Sequence, residues 1–350
     1  MSSPAFAVIA ATSGLVHGAT PFPASVCDLI GFYAAAATAG ELARAVTMAA
    51  PAQLRNLLPH PPRRGDVVRS FRQACQRGDL RLAQWLAGHF DLAPADARAN
   101  NASPLRWAAA NGHLATAQWL AAHFGLTAAD ARANNASPLR QACASGHLAT
   151  ARWLASHFGL EAADARAVGN YALHFACLNG HLATAQWLAS HFGLTAADAR
   201  ADNNYALRLT CANGHLATAQ WLAAHFGLAP ADARDGDNAA LRFACANGRL
   251  RMAQWLVAHF GLTGADARAD NIAALRWACA NGYLPAAQWL VEGFGLTAAD
   301  ARANNNFALH FARANGFLAT AQWLVAHFGL TDADACEYAS EDASEDASER

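Results

Sequence analysis

An all-α solenoid of stacked helix-turn-helix units is the fold class that three features of this 350-residue sequence predict. Tryptophans recur every 34 residues, at Trp85, Trp119, Trp153, Trp187, Trp221, Trp255, Trp289 and Trp323, and leucine follows each one. Glycines keep the same step from Gly78 to Gly316. The composition is 54% hydrophobic and 15% charged, a balance that lets most of the chain fold, and its alanine richness suits close-packed helices. A fixed period of this length marks a repeat array, in which no copy shields its apolar faces alone. Eight copies follow, at 66–99, 100–133, 134–167, 168–201, 202–235, 236–269, 270–303 and 304–337.

The copy at 100–133 shows why each element is expected. Ser103 reads as an N-cap, and Pro104 as the first helical residue, where its missing N–H costs nothing. Leu105, Ala108 and Ala109 form one apolar stripe on a short first helix, which Asn111-Gly112 stops. A second helix runs from about Leu114 to His123 and ends at Gly125. Its wide apolar arc, Trp119 included, fits a helix packed between two neighbours. Thr127 and Asp130 have the spacing of a capping box, so a short helical turn is expected there, ending near Arg132.

Ser103-Pro104-Leu105-Arg106-Trp107-Ala108, followed by Gly112-His113-Leu114, resembles the ankyrin repeat, and Ser137-Pro138-Leu139-Arg140 resembles it again. The resemblance covers about 66–337, in a 34-residue variant of the usual 33-residue unit. Helix is expected after the second helix, where ankyrin repeats normally build a β-hairpin. A tetratricopeptide unit shares the period of 34, but it needs two longer helices and a tryptophan in the first.

The flanks differ from the array. Residues 1–65 are an apolar N-terminal segment with a degenerate capping repeat expected near 28–58, and 338–350 read as an acidic disordered tail. No basic residue precedes Arg44, which argues against a signal peptide, and no uninterrupted apolar run is long enough for a membrane span. An intracellular protein, cytoplasmic or nuclear, is expected, with secretion left open.

Catalysis, cofactors and metals are not expected. Cys75, Cys143, Cys177, Cys211, Cys245 and Cys279 share one slot and read as small buried residues. The histidines fall in two ladders, one at the turn (His113 and its equivalents) and one before phenylalanine (His123 and its equivalents). Both read as donors and acceptors for nearby turns and helix ends. An active site needs an asymmetry that eight equivalent copies lack. Every basic side chain is arginine, and two ladders of them raise a nucleic-acid alternative. The ladder from Arg98 to Arg302 has an aspartate two residues earlier in each copy, so pairing between repeats leaves little charge for phosphate.

The expected function is that of a non-catalytic scaffold or adaptor, a monomer that binds an unidentified protein partner and takes no small-molecule substrate. That role is what the ankyrin resemblance implies. A second reading makes 1–65 the docking segment for a ubiquitin ligase or other effector. Copy-to-copy variation locates the expected partner contacts in two slots. One holds Ser103, Ser137, Tyr171, Tyr205 and Phe307, and the other includes Trp107 and Trp277. The first slot is the favoured one, the second being assigned more to packing.

Overall fold

Glycine decides where most of the paired helices stop, and the rest of the architecture follows from those stops. The computed structural model describes residues 64–331. The capping repeat near 28–58, the tail at 338–350 and nearly all of 1–65 therefore lie outside the described residues. Within them every regular element is a helix and none is a strand. The chain divides into two compact units, Met1–Asn134 and Asn135–Arg350.

In the first unit, Arg64–Arg77 and Leu80–His89 make one helix pair, and Pro94–Ala110 and Leu114–Phe124 the next. Phe71 is fully buried, edge-on to Trp119 at 6.2 Å and Phe124 at 5.6 Å in the following copy. In the second unit the second helices are Leu148–Phe158, Leu182–Phe192, Leu216–Phe226, Leu250–Phe260, Leu284–Phe294 and Leu318–Phe328. Leu139, Leu154, Leu173, Leu188, Leu207 and Leu222 are each fully buried there, a contribution of roughly 2 kcal/mol apiece. The cysteine slot is fully buried in both units. Burial pushes the thiols well above their ordinary range, which keeps them neutral and unreactive.

From the second copy on, each second helix ends on a glycine in the left-handed region, such as Gly125 at φ 57°, whereas Leu80–His89 ends at Phe90 with Asp91 taking the positive φ. The next residue turns back inward: Leu126 N donates to Ala121 O at 3.0 Å, and the Leu126 side chain is buried. The expected short helical turn follows. Asp130, at its third position, accepts the Thr127 N–H at 2.8 Å and the Thr127 hydroxyl at 3.1 Å. At Ala93 and Ala229, which have no hydroxyl, the aspartate still accepts the backbone N–H.

One expectation needs correction. Ser103 is not an N-cap, because three left-handed residues, Asn100, Asn101 and Ala102, stand directly before it. They place Ser103 inside the helix, buried, with an Oγ that has no hydrogen-bond partner. The same three-residue left-handed turn recurs at 202–204, 236–238, 270–272 and 304–306. Asparagine, aspartate and glycine dominate it because they tolerate positive φ. Val168 at φ 57° and Ile272 at φ 60° are the strained members, since a β-branched side chain crowds the backbone there. Ile272 offsets its strain by burial at 5% exposure, whereas Val168 is 53% exposed and has no such return.

Short helices leave carbonyls unpaired at their ends, and neighbouring copies supply the donors. At the end of a first helix the donor comes from the following copy. His113 Nε2 lies 3.1 Å from Gln76 O, and Arg249 Nε donates to Ala212 O at 3.4 Å. In other copies the turn asparagine does this instead. Asn179, Asn281 and Asn315 donate to Ala144 O, Ala246 O and Ala280 O at 2.7, 2.8 and 2.9 Å. Asn281 and Asn315 have no alternative, because the neighbouring turn slot holds Tyr283 and Phe317. Asn213 and Asn247 instead bond back to their own helix, at Leu209 O and Phe243 O.

Asn281→Ala and Asn315→Ala should each cost about 1 kcal/mol, the net contribution of one such bond. Asn213→Ala and Asn247→Ala should cost a few tenths. Urea denaturation midpoints measure the difference, and equal losses at all four sites would remove the distinction.

Candidate protein-binding surface

Surface chemistry in each unit depends on which side chains the inter-copy bonds consume. The arginine ladder beginning at Arg98 is consumed. Arg98 Nε donates to Asp130 at 3.0 Å, and its terminal nitrogen donates to Gly125 O at 2.8 Å. In the second unit Arg166, Arg200 and Arg234 meet Asp198, Asp232 and Asp266 at 2.7 Å, and Arg268 meets Asp300 at 3.0 Å. Burial pushes these four aspartates upward, but the arginine and the threonine-slot backbone N–H outweigh it, leaving each carboxyl below its ordinary value.

Three members of the other arginine ladder are held by the left-handed turns. Arg140 Nε donates to Asn135 O at 2.7 Å, Arg208 donates to Asp202 O at 2.9 Å, and Arg276 donates to Asp270 O at 2.8 Å. Arg140 and Arg276 are themselves buried and lie over Tyr171 and Phe307 of the following copy, 5.0 and 5.1 Å from the ring centroids. Guanidinium groups placed this way are poorly available to phosphate, which weighs against the nucleic-acid alternative.

The histidines before phenylalanine do something the sequence reading missed. They stack on the tryptophan four residues earlier, as His123 does on Trp119 at 5.0 Å and His225 on Trp221 at 5.1 Å. The stack is a role beyond the hydrogen bonding expected for that ladder, and it arises because a helix brings residues i and i+4 face to face. The turn histidines keep the expected role and also press on glycine. His181 lies over Gly146 and His215 over Gly180, each 2.4–2.5 Å from the place a Cβ would occupy. The tryptophans of the 34-residue series are half-buried, apart from Trp187, which is buried.

The expected contact residues separate clearly. Ser103 and Ser137 are 2% and 1% exposed, so they offer a partner no surface. Phe307 is also buried, held edge-on by Trp277 at 5.2 Å and facing Phe311 at 4.2 Å. The left-handed turn sets the phase of the first helix, and that phase points this slot inward. Tyr171 and Tyr205 are half-buried, and Tyr171 stacks on Phe175 at 4.0 Å. The slot four residues on faces outward. Trp107 and Trp277 are 40% and 43% exposed, and Phe175, Leu209, Phe243 and Phe311 are half-buried. The slot assigned mainly to packing is therefore the more accessible one. Its alternation of large apolar side chains across copies was the signal available in the sequence.

Among the described residues no group of three or more His, Cys, Asp or Glu stands together as a metal site, and no helix is long and apolar enough to cross a membrane.

These features define a helical-repeat protein built from one supersecondary unit. A family model described as ankyrin repeats (3 copies) matches residues 71–164, 126–199, 173–271 and 241–337. The chain belongs to the ankyrin repeat family. Ankyrin repeats generally mediate protein–protein interaction, and the family is generally non-enzymatic. Among solved structures, an ankyrin repeat family protein from Legionella pneumophila is similar at 16% identity. That match covers 90% of this chain and 84% of the other, with a TM-score of 0.36. A comparison with curated proteins gave no match.

Acid should weaken the second unit in two stages. His174 is 2% exposed, its Nε2 has no partner, and burial lowers its pKa from 6.5. Nearby, Asp202 and a backbone bond at Asp198 oppose that shift, while Arg208 adds to it. His181 and His215 are lowered too, first by burial and then by neighbouring cationic side chains. Lowered histidines favour the neutral form in the fold, so their contribution is full above pH 6.5 and is lost as the pH falls below it. The four lowered aspartates keep theirs until the pH falls below about 3.8. Thermal midpoints from pH 8 to pH 3 (about that range) should show both declines. His174→Arg, which installs the residue found at 140 and 208, should shrink the first and leave the second. An unchanged first decline would clear His174 of any part in it.

Proposed function

We propose that this chain is a non-catalytic scaffold or adaptor that holds a partner protein on the outward slot of its first helices. The observation that carries this reading is the exposure of Trp107 and Trp277 at a slot that changes from copy to copy. Most other positions repeat almost word for word, as in Gly-His-Leu-Ala-Thr-Ala-Gln-Trp-Leu-Ala at 112–121, 180–189 and 214–223. Packing accounts for repetition. Packing does not account for the part of a large indole left open to solvent, and aromatic side chains dominate binding energy at protein interfaces.

In the second unit Phe175, Leu209, Phe243, Trp277 and Phe311 share the slot, with Tyr171 and Tyr205 half-exposed one turn earlier. Rigid helices present these groups at little entropic cost on binding. The eight copies at 66–337 serve as the binding module.

Full-length protein immobilised as bait should retain a reproducible set of proteins, and Trp277→Ala with Phe243→Ala should release most of it. Truncation of a hot-spot aromatic costs about 2 kcal/mol or more, roughly thirtyfold in affinity. The double variant must keep its far-ultraviolet spectrum and unfolding midpoint. Full retention of the bound set by a folded double variant would place the interface elsewhere.

A further inference from the structure

First helices repeatedly end on the dipeptide Asn-Gly. In the second unit it stands at 179–180, 213–214, 247–248, 281–282 and 315–316. This dipeptide can modify itself, because glycine has no Cβ to hinder its own nitrogen. The glycine nitrogen attacks the asparagine Cγ, an N–Cγ bond forms, and the Cγ–Nδ2 bond breaks. The amide leaves as ammonia with the proton from the glycine N–H, giving a five-membered imide. Water then opens the imide, adding hydroxyl to one carbonyl carbon and a proton to the nitrogen, and leaves aspartate or isoaspartate.

Exposure does not distinguish the sites, since all five asparagines are exposed. Local backbone does not distinguish them either. Asn179, Asn247, Asn281 and Asn315 have ψ of 5°, 12°, 7° and 3°. The glycine N–H is tied to its own helix at each site, as Gly282 N is to Cys279 O and Gly316 N to Arg313 O, both at 3.0 Å. Ring closure must break that bond and swing the Asn–Gly peptide plane about the asparagine Cα–C bond. The swing carries the glycine sideways.

Cover over the glycine is the difference. His215, Arg249, Tyr283 and Phe317 lie over Gly180, Gly214, Gly248 and Gly282, with atoms 2.4, 2.8, 2.3 and 2.3 Å from where a Cβ would stand. Among the described residues nothing lies within 4 Å of the corresponding point at Gly316. We propose that Asn315 is a self-modification site, the first of these five to convert its side-chain amide to a carboxylate in the folded chain. The consequence is specific. The Asn315 amide is the donor to Ala280 O, so conversion replaces an inter-copy hydrogen bond with a carboxylate facing a carbonyl. The last described copy then loses a tie to the copy before it.

Full-length protein is held at mildly alkaline pH, with and without urea, and peptide mass mapping follows each site over time. In the native sample Asn315 should convert about tenfold or more faster than Asn247 or Asn281, as expected where an uncovered peptide opens locally and a covered one does not. In urea the five rates should converge, because the cover is gone. Equal native rates, an interior site leading, or a spread that persists in urea would each overturn the assignment. Asn315→Asp should lower the unfolding midpoint more than Asn213→Asp, whose amide bonds only to its own helix. Equal falls would overturn the proposed consequence.

Discussion

The unpaired carbonyl at the end of a short helix governs this fold. A helix of three turns leaves a large share of its backbone acceptors without intrahelical donors, and leaving such groups dry is costly. Here the donors come from neighbouring copies in both directions along the chain. The first-helix end is served by the following copy, as Ala246 O is by Asn281. The second-helix end is served by the preceding copy, as Gly227 O is by Arg200. Apolar burial holds the copies together, but it is indifferent to small slips. The polar ties fix register, because each joins a backbone atom to one side chain at one spacing.

Arginine suits this work because its fork reaches two acceptors at once. Arg200 contacts both oxygens of Asp232 as well as Gly227 O, and Asp232 in turn accepts the Ala229 N–H. One side chain thus links a helix end to the start of the next helical turn. That division of labour explains why charge in the array is so regular.

Periodicity made the helix pairs, the glycine stops, the capped turn and the family legible from residues alone. Phase was harder to read. Asn100-Asn101-Ala102 looks like a loop leading to a serine cap, yet it folds as a left-handed turn that rotates the first helix and buries Ser103. A run of residues tolerant of positive φ does not reveal how many adopt it. The same rotation moved Phe307 inward and the Trp107 and Trp277 slot outward. The histidine–tryptophan stack was legible in principle, since four residues separate the two in nearly every copy. Hydrogen-bonding habit made the ring partner easy to overlook.

Redundancy gives the array room to vary. Two slots, the turn asparagine and the residue two positions on, reach the same class of carbonyl, so either can satisfy it alone. Once Asn281 and Asn315 take that duty, the neighbouring slot no longer needs a donor, and tyrosine and phenylalanine stand there instead of histidine. Tyr283 and Phe317 are 38% and 36% exposed, in the same unit as the exposed Trp277. Backbone satisfaction thereby determines where aromatic surface can arise. A slot relieved of bonding duty, and left only to cover the glycine of the preceding copy, accepts a large apolar ring without loss of the fold.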